Sequence, residues 1–450
     1  MHSVLPPLPS HQLLIFLLQV VLLLTLAFAL ARVAQRFGMP AIVGELFAGV
    51  LLGPSLLGFV APAVSGWLLP ADADQTRMLD GAAQIGVLLL VGITGCFLDL
   101  RMLRTHRGTA ARISVCGLLI PLGLGIGLGF ALPPSLIPAG IGQGVFALFI
   151  GVAMCVTAIP VIAKTLSDLK MLHRNVGQLT LAAGLIDDIA GWFLLSMVSA
   201  LATVGLSMGL LSLSLLYLAG FILFAVFVAK PLVARLMRFT CRSGQPGPPM
   251  AMTVILILAG AAITHLLGLE ALFGAFVMGI VIGSVRETKP TLLAPLHSVV
   301  LWVLAPLFLA SAGLRADLTT LADPAIALTS LAILVVAIVG KFAGAYLGAK
   351  LSRLGNWEAL AIGAGMNSRG VVEIIIATVG LRLGVLSIGI YTGIVLVAVI
   401  TSLMGPPVIR MAMRKVAQTD QETLREIRHS SWTGASTEHR EVSTEHRDAA

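Results

Sequence analysis

The chain has 450 residues, of which 58% are hydrophobic and 11% charged, and its mean hydropathy is +1.00. An ordinary soluble domain carries roughly 25% charged residues, so this composition excludes a soluble globular protein and defines a polytopic membrane protein. The formal charge of +8 is distributed by loop rather than gathered in a patch, which excludes nucleic-acid binding, and four cysteines without CxxC or metal spacing give no disulfide or zinc framework.

Thirteen apolar segments follow one another, at about 11–31, 41–59, 80–98, 111–131, 143–163, 175–201, 206–229, 250–267, 270–284, 294–313, 325–349, 357–380 and 386–409. The first contains AFALA, which mimics a signal-peptidase site. No Lys or Arg precedes it, so it is read as a span that is retained.

The loops test the count. Those after odd-numbered segments carry Arg32 and Arg36; Arg101, Arg104, Arg107 and Arg112; Lys164, Lys170 and Arg174; Lys230, Arg235, Arg238 and Arg242; Arg286 and Lys289; and Lys350 and Arg353. Those after even-numbered segments carry only Arg77, Arg315 and Arg382. The alternation predicts an odd number of spans, an outside N-terminus and a cytoplasmic C-terminus, as for a multi-pass plasma-membrane protein. Lys341 and Arg369 remain inside spans and require an explanation.

An internal repeat is visible. GELFAGVLLG (44–53) in segment 2 matches GAFVMGIVIG (274–283) in segment 9, and GCFLDL (95–100) matches GLRADL (313–318) at the end of segment 10. Each match skips seven segments, so the copies cross the membrane in opposite directions, as in the inverted repeats of secondary transporters. The predicted fold is an all-α membrane protein with a transmembrane region over 1–415. It contains one repeat at about 11–201, a linker helix at 206–229 and a second repeat at about 250–410.

Under this alignment segment 5 corresponds to segment 12, and both contain helix breakers. Segment 5 carries Thr157 and Pro160, and segment 12 carries Gly363, Gly365, Asn367, Ser368 and Gly370 around Arg369. Interrupted helices at matching places in inverted halves point to a substrate site, because bare carbonyls and half-helix ends coordinate ions.

The centre of the chain is the pair Asp187 and Asp188 in AAGLIDDIAGWFLL (182–195). A charge at a bilayer centre costs roughly 2.5–3.5 kcal/mol on insertion scales, so such residues pair, face water or carry protons. Consecutive helical residues point about 100° apart, so one acid can pair with a lysine while the other faces a cavity. Interacting carboxylates and an ammonium let one acid titrate near physiological pH.

The run TAIPVIAKTLSDLKMLHRNVGQLTLAAGLIDDIAGW (157–192), together with GKFAGAYLGAKLSRLGNWEALAIGAGMNSRGVVEIIIATVG (340–380) and GELFAGVLLGPSLLG (44–58), resembles the monovalent cation/proton antiporter-2 family. It resembles in particular the branch that includes plant cation/proton exchangers, and the likeness covers about residues 30–410. The resemblance implies that Asp188 binds cation and proton in turn, that Asp187 pairs with Lys341, and that Thr157 lies by the site. It also implies a homodimer in which a core domain moves against a dimerisation panel. Two departures stand out: TGCFLDL lacks the glutamate that many relatives carry before its aspartate, and no nucleotide-binding domain is recognisable.

The implied function is exchange of Na+ or K+ for H+ by alternating access, with the transported monovalent cation on Asp188 and Asp187 and no cofactor. A cation-selective efflux channel of the same fold is the alternative. An intramembrane aspartyl protease would need its acids on separate helices and a GxGD signature, where this chain reads GLID (184–187). Arg369 and Glu373, four residues apart, are expected to neutralise each other in a structural role. Glu45 fits either an access funnel or a snorkelling interfacial acid. His106 and His173 lie in basic loops and are read as ordinary solvated residues, and His265, near a span end, has no evident ligand partner. GLGIGLG (123–129) has the wrong spacing for a dinucleotide loop and suits close helix packing. The polar stretch 416–450, with STEHR twice, is expected to be a disordered tail.

Overall fold

Every regular element among the described residues is helical. The computed structural model describes residues 9–37, 39–70, 73–97, 107–171, 173–204, 208–242, 245–285, 288, 290–420 and 422–423; the STEHR repeats and the stretch 98–100 lie outside them. The chain enters α1 (Ser10–Arg36) and α2 (Ala41–Leu52), then passes two short helices to α3 (Ala73–Cys96) and α4 (Arg107–Ala131). The next are α5 (Gln143–Cys155), α6 (Ile159–Asp168) and α7 (Asn175–Val204). A π-helical turn at Ala225–Ala229 joins α8 (Met208–Phe224) to α9 (Lys230–Cys241). Beyond α10 (Gly247–Leu266) and α11 (Ala271–Gly283), a second π turn at Val300–Leu304 joins α12 (Pro290–Val299) to α13 (Ala305–Gly313). The last are α14 (Pro324–Leu351), α15 (Asn356–Met366), α16 (Val371–Arg382) and α17 (Ile388–Met413).

Sequence chemistry sets several of these boundaries. Asp323 accepts a hydrogen bond from the Ala325 N–H at 2.8 Å with Pro324 at the first helical position, so α14 starts with an orphan donor satisfied. The side chain of Glu358 does the same for the Gly355 N–H ahead of α15, also at 2.8 Å. Among the described residues, ten helices are long and apolar enough to cross a membrane, or eleven if α15 and α16 form one bent span. The expected thirteen is not reached by this measure. Segment 5 is cut into α5 and α6, and segment 9 is the 13-residue α11, about 20 Å long against a hydrocarbon core of about 30 Å.

The helices pack as two layers. A core layer holds α4 to α7 and α14 to α17; a panel layer holds α1 to α3, α10, α11 and α13, with α9 against α10 and α11. Glycine sets the panel contacts. A Cβ on Gly49 would fall 2.7 Å from the Gly313 Cα, one on Gly53 2.9 Å from the Leu314 O, and one on Gly44 2.3 Å from the Leu30 backbone in α1. In the other copy of the motif, a Cβ on Gly279 would fall 3.1 Å from the Gly95 Cα, one on Gly283 2.1 Å from the Cys96 O, and one on Gly274 2.2 Å from the Gly260 O in α10. The contacts recur when the matched segments are exchanged: α2 lies on α13 as α11 lies on α3. Small residues here let backbones approach where no hydrophobic force separates helix from lipid.

The layers are bonded to each other at one end. There, core residues Tyr391 and Thr392 bond the Ala312 carbonyl (2.7 Å) and the Asp317 N–H (3.0 Å), Ser196 accepts from the Glu270 N–H (3.4 Å), and Arg382 pairs with Glu270 (2.8 Å). Toward the other end the layers part around a cavity of about 760 Å³ that extends from Asp188 to Gln35, Met39, Leu169 and Arg410.

Candidate functional site

Two helix interruptions meet inside the core layer. The chain leaves α5 at Cys155, runs extended through Val156 (ψ 148°) and re-enters a helix at Ile159, with Pro160 in the first turn of α6. A first turn needs no intrahelical donor from proline, whereas a helix interior does, so the break falls ahead of it. The second interruption, 367–370, separates α15 from α16, whose axes diverge by 42°.

A helix that stops inside a protein leaves its last carbonyls without partners at the negative end of its dipole. Two buried cations take up those of α5. Arg369, from the second interruption, donates to the carbonyls of Ala153 (3.1 Å) and Met154, and also to that of Ala337 in α14 (2.9 Å). The Lys341 Nζ donates to the Cys155 carbonyl at 2.5 Å. Arg369 and Glu373 form an ion pair at 2.9 Å with both side chains buried, and Ser402 donates to the Arg369 carbonyl. Asn367 is buried and its Oδ1 has no hydrogen-bond partner among the described residues.

The two aspartates of α7 have unlike surroundings. Asp187 accepts from Lys341, from the Ser114 hydroxyl of α4 and from the Thr157 hydroxyl at 2.7 Å, so all three donors converge on one carboxylate. Lys341 reaches it because α14 lies against α4 at Gly340 and Gly344, where added Cβ atoms would fall 3.1 Å from the Pro121 Cα and 2.5 Å from the Cys116 O. Asp188 instead lines the cavity, and its Oδ1 has no hydrogen-bond partner among the described residues. Thr157 therefore serves Asp187 directly and Asp188 only through its neighbour.

Charge accounting gives the site its chemistry. Asp187, Asp188, Glu373, Lys341 and Arg369 are all at most 1% exposed. With every group ionised, three carboxylates face two cations and one negative charge is left over. A single monovalent cation or a single proton bound among these acids would remove it, and a buried uncompensated charge is costly. Ser114 and the carbonyls of Ala153, Met154 and Cys155 escaped the sequence reading. One serine in an apolar helix is unremarkable as a letter, and a carbonyl has no letter at all; only Pro160 hinted that carbonyls nearby would be bare.

A helical membrane protein with two interrupted helices meeting at a buried, only partly charge-compensated acid pair, on a cavity open at one end, has the make-up of a secondary transporter. The chain belongs to the sodium/hydrogen exchanger transmembrane family, which it matches over residues 21–415. It is 32% identical to cation/H(+) antiporter 19 of Arabidopsis thaliana, over 93% of this chain and 52% of that one. It is 31% identical to the Na(+)/H(+) antiporter NhaS4 of Synechocystis sp., over 89% of this chain and 97% of that one. The chain thus spans about half the length of the plant relatives it matches and nearly all of the cyanobacterial one. Its fold is that of the sodium proton antiporter MjNhaP1 from Methanocaldococcus jannaschii at pH 8, with a TM-score of 0.67 over 90% of this chain and 99% of that one, at 17% identity.

Proposed function

We propose that this integral membrane protein exchanges Na+ or K+ for H+ by alternating access, with Asp188 carrying cation and proton in turn. The observation that carries this reading is the division of labour within the acid pair. Asp187 is saturated by Lys341, Thr157 and Ser114, while Asp188 faces the cavity with an unbonded oxygen. No cofactor is needed beyond the transported ions. A cavity that closes about one helical turn past Asp188, at Trp192 and Ile375, with the layers bonded beyond it, favours alternating access over a continuous pore. The acids share one helix, which disfavours a proteolytic dyad.

The cavity end carries Arg36 and Arg410, so by the loop-charge rule it faces the cytoplasm, in the plasma membrane, with the N-terminus outside. Exposed apolar side chains along α1, such as Leu13, Val21 and Phe28, suit lipid or a second copy, in keeping with a homodimer formed through the panel. The test is the purified full chain in liposomes under a pH gradient, challenged with Na+ and K+ at zero and at imposed potential. Cation-dependent proton movement is expected, with an apparent cation KM that falls as pH rises because protons leave the shared carboxylate. Potential-driven cation flux uncoupled from protons would favour the channel.

A further inference from the structure

Glu45 is a second acid of the cavity, to which the exchange scheme above gives no role. It projects from α2 in the panel, is 8% exposed, and lines both the large cavity with Asp188 and a neighbouring one of about 460 Å³. No hydrogen bond or ion pair joins it to another described residue, and its carboxylate opens on the cavities. The charged groups it shares these cavities with are Asp188 and Arg410 in the first and Arg32 in the second. Gln35, which is exposed, and Trp302 line both cavities too, so Glu45 lies where the two meet.

Packing does not require this acid. In the matched motif Gly44, Gly49 and Gly53 correspond to Gly274, Gly279 and Gly283 and make the same backbone contacts, while the place of Glu45 is taken by Ala275. A methyl group therefore suffices for the helix contact, and a buried carboxylate without a partner carries a desolvation cost that no neighbour offsets. A mobile cation arriving through the cavity offsets it.

We propose that Glu45 is a second cation site, a carboxylate way-station for a partly hydrated monovalent cation on the panel wall between the cavity mouth and Asp188. Gln35 supplies a further oxygen at the same junction. Because Glu45 belongs to the panel and Asp188 to the core, the two acids face one cavity only when the layers part at this end. The way-station therefore loads Asp188 from this side alone. The transport aspect rests on the antiport reading; the site itself does not.

The experiment has two arms. In liposomes, E45Q should raise the apparent cation KM measured from the cavity side by about tenfold, leave it within twofold from the other side, and keep most of the maximal rate. In detergent, the thermal midpoint of the full chain is followed against NaCl or KCl, with choline chloride holding ionic strength. D188N should keep a cation-dependent rise in midpoint, and D188N combined with E45Q should lose it. E45A, which copies Ala275, should behave as E45Q does and guards against a defect peculiar to glutamine. An unchanged KM in both variants, or a cation response in D188N that is absent or survives removal of Glu45, overturns the proposal. Because the second arm needs no transport, failure of antiport in the wild-type protein would leave it readable.

Discussion

In the panel, α2 and α13 meet backbone to backbone at Gly49 and Gly313; in the core, the end of α5 meets α7, α14 and the 367–370 interruption through ions and hydrogen bonds centred on Asp187 and Arg369. Both regions are buried, yet they solve different problems. A glycine contact supplies van der Waals packing and permits no extra atom. The core contact satisfies helix ends that exist only because two spans are broken, and it does so with groups whose charges leave one site unbalanced. Stability and chemistry should therefore separate: core acids should control exchange, and panel glycines should control folding.

The largest expected effect is at Asp188. D188N removes the surplus negative charge while keeping the shape of the side chain and one oxygen that can still accept a hydrogen bond, and the Asp188 Oδ1 has no hydrogen-bond partner among the described residues to lose. Cation-dependent proton movement in liposomes should fall to background while the thermal midpoint in detergent stays at or above the wild-type value. Exchange at wild-type rates in D188N across a range of pH would remove the central assignment. A large drop in midpoint would instead make the residue structural and erase the contrast with the panel.

Gly49 should give the opposite pattern. Its Cβ would land 1.8 Å from the Ala310 O, backbone on backbone, so G49V must push α2 off α13. Overpacking of this kind typically costs about 1–3 kcal/mol, visible as a lower midpoint and less monodisperse protein after heating. Gly123 in α4 is the control, because nothing lies within 4 Å of its added Cβ. G123A should be neutral or stabilising by up to about 1 kcal/mol. If G49V and G123A behaved alike, backbone contact would not be what holds the panel.

Much of this contrast could be read from the letters, and the reason is physical. An acid pair, Lys341 and Arg369 stand out in apolar runs because charges there are expensive, and glycine motifs stand out because they recur. The Arg369 and Glu373 pair was legible from its spacing alone. The reach of Arg369 to the carbonyls of α5 was not, since the two lie 215 or more residues apart and the acceptors are backbone. Span counting ran beyond what helix length carries for the same reason that the site exists: a broken helix such as α5 and α6 has the composition of a span without its continuous length. Glu45 was left ambiguous because burial and lack of a partner are properties of the fold.

A smaller effect is expected where the layers are joined. Arg382 is 44% exposed and its pair with Glu270 is correspondingly weak, about 0–1 kcal/mol after solvent screening. Breaking it should tilt the balance between cavity-open and cavity-closed forms by no more than about fivefold. A cysteine placed at Thr94 in the cavity wall should react more slowly with a thiol reagent in R382Q, because one bond holding the far end shut is gone. Faster labelling would mean that the ion pair belongs to both forms.

The smallest effect concerns Glu422, near the start of the stretch 416–450 that is expected to be a disordered tail. Glu422 is 3% exposed. It accepts from the Asn175 N–H (2.6 Å) and the Thr419 N–H (2.8 Å) and lies 3.3 Å from the Arg174 guanidinium, while Arg174 also donates to the carbonyls of Val416 and Ala417. The tail thus begins docked on the first turn of α7, the helix that carries the acid pair, where a carboxylate suits the positive end of the dipole. Burial alone would raise its pKa, but the Thr419 and Asn175 N–H groups and Arg174 outweigh it and hold the carboxyl below the ordinary 4.5. A depressed carboxylate pKa stabilises the contact above the ordinary value and loses that contribution only as pH falls through the lowered one. The contact should therefore persist unchanged through the neutral range and add nothing to the pH dependence of exchange. E422Q should raise amide hydrogen exchange at residues 416–423 at pH 7, leave the exchange rate of Na+ or K+ for H+ within about twofold, and leave the pH profile in place, since a contact of this class is worth on the order of 1 kcal/mol. A shifted pH profile in E422Q would make the docked segment part of the transport cycle, and would show that α7 senses the segment docked on its first turn as well as the cavity.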